Sequence, residues 1–188
     1  MPRPKQPQSY YEDIKDKFRE ERNLRLLYRP PGSDQSTSEF SGELAKYAVD
    51  PYAEEVHTRE PITDEVEVLF IGGGFSALLT SARLREHGIE SIRIVERGSD
   101  VGGTWYWNRY PGAACDVVSY DYLPLLDELD YVPVNHYSRG PEIFAHCQAI
   151  ADKYNLYELS VFNTTVTETR WDDTDQLWHV STDRGDVM

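Results

Sequence analysis

The sequence predicts an α/β fold: a parallel sheet raised on one strand–helix–strand unit, with a β-hairpin beyond it and a helical extension before it. Three observations carry this. The apolar, β-branched run EVEVLFI (Glu65–Ile71) passes directly into glycines, the helical pattern FSALLTSARLREH (Phe75–His87) stops at Gly88, and the second apolar run SIRIVE (Ser91–Glu96) follows. Strand, helix and strand are complete within about thirty residues, the span of one βαβ unit, and the order is that of a Rossmann-like dinucleotide-binding fold.

Ahead of this unit, residues 1–8 alternate proline with basic and amide residues and are expected to be disordered. Tyr11, Ile14 and Phe18 recur at helical spacing, predicting an amphipathic helix over 9–28 that Pro30, Pro31 and Gly32 end. GSDQSTSE reads as a flexible connector, and Gly42–Val49 as a second helical candidate. Residues 1–60 are therefore expected to form an extension and linker without chemistry, and 61–188 the first segment of the nucleotide-binding domain. Further on, Pro141–Asn155 predicts a helix with Ile143, Phe144, Cys147, Ile150 and Ala151 on one side. VFNTTVTETRW and QLWHVSTD, joined by DDTD, predict a hairpin, and RGDVM the start of a third strand.

Bulk properties exclude several function classes. A formal net charge of −14 disfavours binding to nucleic acid or to an anionic membrane surface. The N-terminus lacks a signal-peptide core and no apolar run approaches the length of a membrane span, so a cytoplasmic location is expected. Cys115 and Cys147 are too few for a disulfide framework, fit a reducing compartment, and form no zinc-like cluster with histidine, so no metal is expected.

Gly72-Gly73-Gly74-Phe75-Ser76-Ala77 matches G-x-G-x-x-[G/A] between a strand and a helix, where the pattern has a physical use. Gly72 permits the tight turn, Gly74 lets backbone approach a pyrophosphate, and Ala77 allows close packing of helix on strand. The phosphates would sit at the helix N-terminus, where free N–H groups and the helix dipole favour an anion. Glu96, ending the second strand, is placed to accept hydrogen bonds from ribose hydroxyls and disfavours a 2′-phosphate, which leaves FAD and NAD as candidates.

The segment that follows, RGSDVGGTWYWNRYPGAACD (Arg97–Asp116), crowds large flat rings beside glycines. Here the sequence resembles the Baeyer–Villiger monooxygenases, flavoproteins that insert one oxygen atom beside a ketone. The resemblance runs from about Asp64 to Met188, through DEVEVLFIGGGFSALL, RIVERGSDVGGTWYWNRYPGAACD, YSRGPEIFAHCQAIADKYNL and FNTTVTETRWDD. DYLPLLDELDYVP and YSRGPEI are similar to the branch with N-terminal extensions that acts on aryl and polycyclic ketones.

The resemblance implies an FAD-binding portion of an enzyme that also uses NADPH, O2 and a small-molecule ketone. It places Ser76 at the pyrophosphate with Gly72, Gly74, Phe75 and Ala77, and Glu96 at the ribose. Thr104, Trp105, Tyr106 and Trp107 run along the flavin, with Gly103 close to it and Tyr122 nearby, so that rings exclude water while glycines let backbone pass near the cofactor. The backbone at Val166 meets the adenine. Asp116 is the catalytic assignment: it positions an arginine from a later part of the family's chain, whose charge stabilises an anion at the flavin. Cys115 is expected to be a packed small side chain.

Two positions depart from the family pattern: Ala114 stands where many members have arginine, and Val118 where a glutamate is usual. The family's second glycine-rich site, its F-x-G-x-x-x-H-x-x-x-W-P signature and the late arginine are missing from the sequence. The FAD-binding sheet is therefore expected to be incomplete and to self-associate through an exposed edge, and the chain alone is expected not to complete a catalytic cycle. Two other readings stay open: a different N- or S-oxidising flavin monooxygenase, and a non-catalytic module that binds FAD or a partner chain.

Overall fold

The computed structural model describes residues 8–27, 49–53 and 58–188, and the chain divides into two compact units, 1–49 and 50–188. In the first, α1 (Gln8–Leu27) is the helix expected over 9–28. Its long charged side chains favour helix, Asp16 pairs with Arg19 one turn on at 3.1 Å, and Phe18 is 65% exposed. The expected disordered start, the connector and all of the second helical candidate except Val49 lie outside the described residues.

In the second unit, β1 (Val68–Ile71), α2 (Phe75–Glu86) and β2 (Ile92–Val95) form the predicted βαβ unit, with β1 and β2 parallel and Val68 opposite Ile92. β1 is shorter than its apolar run because the Ser91 carbonyl takes the N–H groups of both Glu67 and Val68, and the regular ladder begins only there. Gly88 ends α2 as expected: it adopts φ +83° and donates its N–H to the Arg85 carbonyl, satisfying one of the carbonyls the helix leaves open.

Beyond β2, three single-turn helices, α3 (Thr104–Trp107), α4 (Ser119–Tyr122) and α5 (Leu126–Leu129), lead to the long α6 (Gly140–Lys153). Then β3 (Ser160–Val161) pairs in parallel with β2, giving the order β1-β2-β3. β3 corrects the sequence reading, which gave Val161 to the hairpin. Asn163 at φ +50° and the Thr164 hydroxyl bonded to the Phe162 carbonyl break the strand, so the hairpin begins at Val166. It consists of antiparallel β4 (Val166–Asp172) and β5 (Leu177–Thr182). The expected third strand begins after it: Val180 and Met188 exchange N–H···O bonds of 2.8 and 2.9 Å.

Three layers result. Leu78 and Ala82 of α2, Ile94 of β2, and Cys147, Ile150 and Ala151 of α6 are wholly buried together on one face of the sheet. The opposite face packs Val95 and Val161 on Val180 and Met188 of the hairpin layer. An ion pair between half-buried Arg59 and fully buried Asp186 fastens that layer, with the two terminal guanidinium nitrogens on the carboxylate, which also accepts the Ile62 N–H and the Thr182 hydroxyl. The outer edge of β1 faces no strand among the described residues, as expected for an incomplete sheet, and Ile71 on it is 61% exposed.

Candidate functional site

A cavity of about 460 Å³ opens where the glycine turn meets the aromatic segment. Gly72, Gly74, Phe75, Ser76 and Ala77 line it from one side, and Gly103, Thr104, Trp105 and Tyr122 from the other. The two glycine loops touch backbone to backbone. Gly102 donates its N–H to the Gly73 carbonyl at 2.9 Å, and a Cβ on Gly103 would stand 2.9 Å from the Gly74 Cα, a distance no side chain tolerates. Gly103 also adopts φ +52°, ψ −115°, which only glycine occupies without strain. The glycines of GGTW thus fold the second loop onto the first.

Gly74 precedes α2 with no side chain to cap it, so the first-turn N–H groups beside Ser76 are left for an external acceptor. The three rings lining the cavity hold one another in place. Trp105 donates its indole N–H to the Tyr122 hydroxyl at 2.9 Å, and Tyr122 stands edge-on to both Trp105 and Phe75. Backbone donors on one side and packed rings on the other match what a dinucleotide with a flat heterocycle requires.

Glu96 lies beneath the turn, 5% exposed. One carboxylate oxygen accepts the Gly73 N–H at 2.5 Å and the other the Gly98 N–H at 2.6 Å, so this side chain ties the glycine turn to the end of β2. Each oxygen keeps a lone pair for a further donor.

The three rings of α3 diverge. Trp105 faces the cavity, whereas Tyr106 and Trp107 are absent from its lining. Tyr106 is 1% exposed, its ring stands against Gly98, and its hydroxyl donates to Asp50. Trp107 carries the Arg97 guanidinium 4.7 Å from its ring centre. A one-turn helix sends successive side chains in different directions, which is why four adjacent residues do not share one surface.

Asp116 is exposed and outside the lining, following Cys115, which packs with Trp105, Leu123 and Ile143. Val166 is half-buried at the base of the hairpin, two residues after Thr164, whose N–H donates to the Glu96 carbonyl. Ala114 pairs through its backbone with Arg139, and Val118 precedes α4 without a side-chain cap. Burial pushes the Cys147 thiol up to about 12, so it stays an inert core group.

Sequence reasoning missed Gly73, Gly98 and Gly102 as parts of the cradle, although the glycine doublets in IGGGF and VGGTW were a signal for two of them. It missed the contact between Asp50 and Tyr106, for which no local pattern gives a signal. It also missed a grouping at the hairpin turn, where Asp172, Asp175 and His179 bring ligand-type atoms within 4.8 Å of one another. Asp172 there already accepts hydrogen bonds from Arg170 and from the Thr174 N–H. Among the described residues no helix is long and apolar enough to cross a membrane.

Residues 71–126 match the family model of the NAD(P)-binding Rossmann-like domain. The chain is 52% identical over 179 residues to pentalenolactone D synthase of Streptomyces arenae, across 94% of this chain and 29% of that protein. It is 47% identical over 175 residues to a Baeyer–Villiger monooxygenase of Streptomyces coelicolor, across 93% of this chain and 28% of the other. The polycyclic ketone monooxygenase of Thermothelomyces thermophila superimposes on 82% of this chain with a TM-score of 0.70 and 34% identity, covering 26% of its own length. The chain therefore spans less than a third of the length of these relatives. Across that span the likeness covers the glycine turn, the aromatic segment and the hairpin alike, and the chain belongs to the Baeyer–Villiger monooxygenase family.

Proposed function

We propose that this chain supplies the FAD cradle of an FAD- and NADPH-dependent Baeyer–Villiger monooxygenase, an enzyme that converts a ketone to an ester or lactone with one atom of O2. The observation that carries the proposal is the meeting of two glycine loops, backbone on backbone, at the uncapped start of α2. A cavity whose floor is N–H groups and whose wall is Trp105 and Tyr122 suits a pyrophosphate joined to a flat ring system.

In this reading the N–H groups of the Gly74–Ala77 turn and the Ser76 hydroxyl hold the diphosphate. Glu96 turns a free lone pair to a ribose hydroxyl while it braces the turn. The backbone near Val166 receives the adenine. Bound flavin supplies the redox chemistry, and Trp105 and Tyr122 keep water from it. Asp116, exposed and next to this wall, is available to position a cationic side chain from the longer protein. NADPH and the ketone engage residues beyond this span, and the free, buried cysteines support a cytosolic setting. The open edge of β1 and the groove beside it form the surface through which the chain self-associates.

Titration of the purified chain with FAD tests the cradle. Saturable quenching of flavin fluorescence at one FAD per chain is expected, weakened by Ser76→Asp, which puts a like charge at the diphosphate. A chain that takes up no FAD overturns the proposal. With a version extended to the length of the relatives, ketone-dependent NADPH oxidation yielding an ester distinguishes this activity from N- or S-oxidation.

A further inference from the structure

Asp50 lies fifteen residues before Glu65, the start of the β1 apolar run, yet it reaches the aromatic segment. Its Oδ2 accepts the Tyr106 hydroxyl at 2.5 Å and the Ser99 N–H at 3.0 Å, and its Oδ1 accepts the Tyr52 N–H at 2.9 Å. The Tyr106 oxygen is also 2.5 Å from the Ser99 hydroxyl. A buried phenol that donates to a carboxylate makes one of the stronger neutral-to-charged hydrogen bonds, and both partners here lose much if it breaks.

The same short segment is clamped from its other side. The Arg109 guanidinium stands 4.0 Å from the Tyr52 ring centre, 4.6 Å from that of Tyr106 and 4.8 Å from that of Phe144, and its Nε donates to the Tyr106 carbonyl. Tyr106 in turn leaves no room at Gly98, where an added Cβ would meet the ring at 2.8 Å. The Gly98 N–H is held by Glu96, whose other oxygen holds Gly73. An unbroken run of contacts thus joins Asp50 to the glycine turn through Tyr106, Gly98 and Glu96. Burial pushes the Asp50 carboxyl up, but the bonds from Tyr106 and the backbone outweigh it and keep the group ionised below the usual carboxylate range.

We propose that Asp50 is a positioning residue for the nucleotide cradle: by fixing the Tyr106 hydroxyl it sets the turn that presents Thr104 and Trp105 to the glycine loop. Tyr106 itself faces away from the cavity, so its role is to anchor the backbone whose preceding residue, Trp105, lines the wall. The consequence for affinity rests on the FAD reading given above. The consequence for the turn does not.

The test uses the whole chain with Tyr106→Phe, Asp50→Ala, Asp50→Asn and the Tyr106→Phe/Asp50→Ala double variant. Amide exchange is read at Trp105, Tyr106 and Trp107, whose N–H groups bond to the Gly102 and Gly103 carbonyls at 3.0 Å, and FAD affinity is read by flavin fluorescence. Each of Tyr106→Phe and Asp50→Ala should speed exchange in this turn, and weaken FAD, by about tenfold, and the double variant should do no more than either single one. Asp50→Asn, which keeps a neutral acceptor, should fall between them and the parent, with exchange in α6 and β2 unchanged as the control for folding. Unchanged exchange in the turn overturns the proposal, as does faster exchange with unmoved FAD affinity, or additive effects. A parent chain that binds no FAD defeats the cofactor reading instead, and the exchange result then decides the anchor by itself.

Discussion

On the helical face of the parallel sheet, Leu78, Ile94, Ile150 and Leu156 are wholly buried, and the loops above that layer close on each other at glycine contact distance. On the hairpin face, Ile71 and Trp178 are each 61% exposed around a groove of about 600 Å³, and the buried core there is four residues: Val95, Val161, Val180 and Met188. One face is held by apolar packing supplied by α2 and α6. The other depends on a polar clamp, because apolar contact alone covers too little of it. Stability in this chain therefore comes from different physics on the two sides of one sheet, and the sides can be broken separately.

The largest effect is expected at the clamp. Asp186→Asn leaves half-buried Arg59 facing a neutral partner at a fully buried position and should lower stability by about 3 kcal/mol, read as a shift of the urea midpoint. Exchange protection should fall in β4 and β5 while α2 and α6 keep theirs, and uniform loss across both layers would refute the contrast. The pH dependence has a definite sign. The hydrogen bond from Arg59 holds the Asp186 carboxyl well below its ordinary 3.8. A carboxyl lowered on folding contributes stability that is present above the unfolded value and lost as pH falls through the folded one. Between pH 7 and 5 the clamp should therefore hold, and loosening of the hairpin in that range would mean Asp186 does not carry it.

On the other face the expected weak point is a glycine. Gly103→Ala must place a Cβ 2.9 Å from the Gly74 Cα while holding φ at +52°, and a backbone atom cannot yield as a flexible side chain would. A loss of about 2 kcal/mol is expected, together with loss of FAD binding, because the relief available is to part the two loops. Bound FAD with parental affinity in Gly103→Ala would show that the loops do not need this contact.

The helical face was legible in the sequence because its signals are local. The G-x-G-x-x-A turn, the period of Phe75–His87 and the cap at Gly88 all lie within about twenty residues of one another, and the structure forms each of them. The hairpin face was legible only in outline. β3 was missed because two residues, Ser160 and Val161, carry no period, and nothing local says that Asn163 will turn left-handed. In the candidate site, Ser76, Thr104, Trp105 and Tyr122, singled out from the sequence, line one cavity, but the sequence reading treated TWYW as one surface, whereas a single helical turn splits it between the cavity and the Asp50 contact. That contact joins residues 56 apart in sequence, and no spacing rule reaches so far.

The smallest expected effect on stability, and the sharpest on association, belongs to the groove. Trp178 stacks obliquely with Trp171 at 5.5 Å between ring centres but remains mostly solvent-exposed, so Trp178→Lys should cost under about 1 kcal/mol. The new charge stands beside Ile71, Trp171 and Leu177 in the groove along the β1 edge that no described strand pairs with, where a lysine blocks pairing of one edge with another. Because each chain carries a net charge of −14, association of two copies works against their repulsion and should strengthen as salt screens it. Sedimentation of the parent should show concentration-dependent dimers that grow with salt, and Trp178→Lys should remain a monomer throughout. Equal sedimentation of the two at every salt concentration would detach the groove from association. The burial contrast between the faces would then describe solvent exposure without a partner to relieve it.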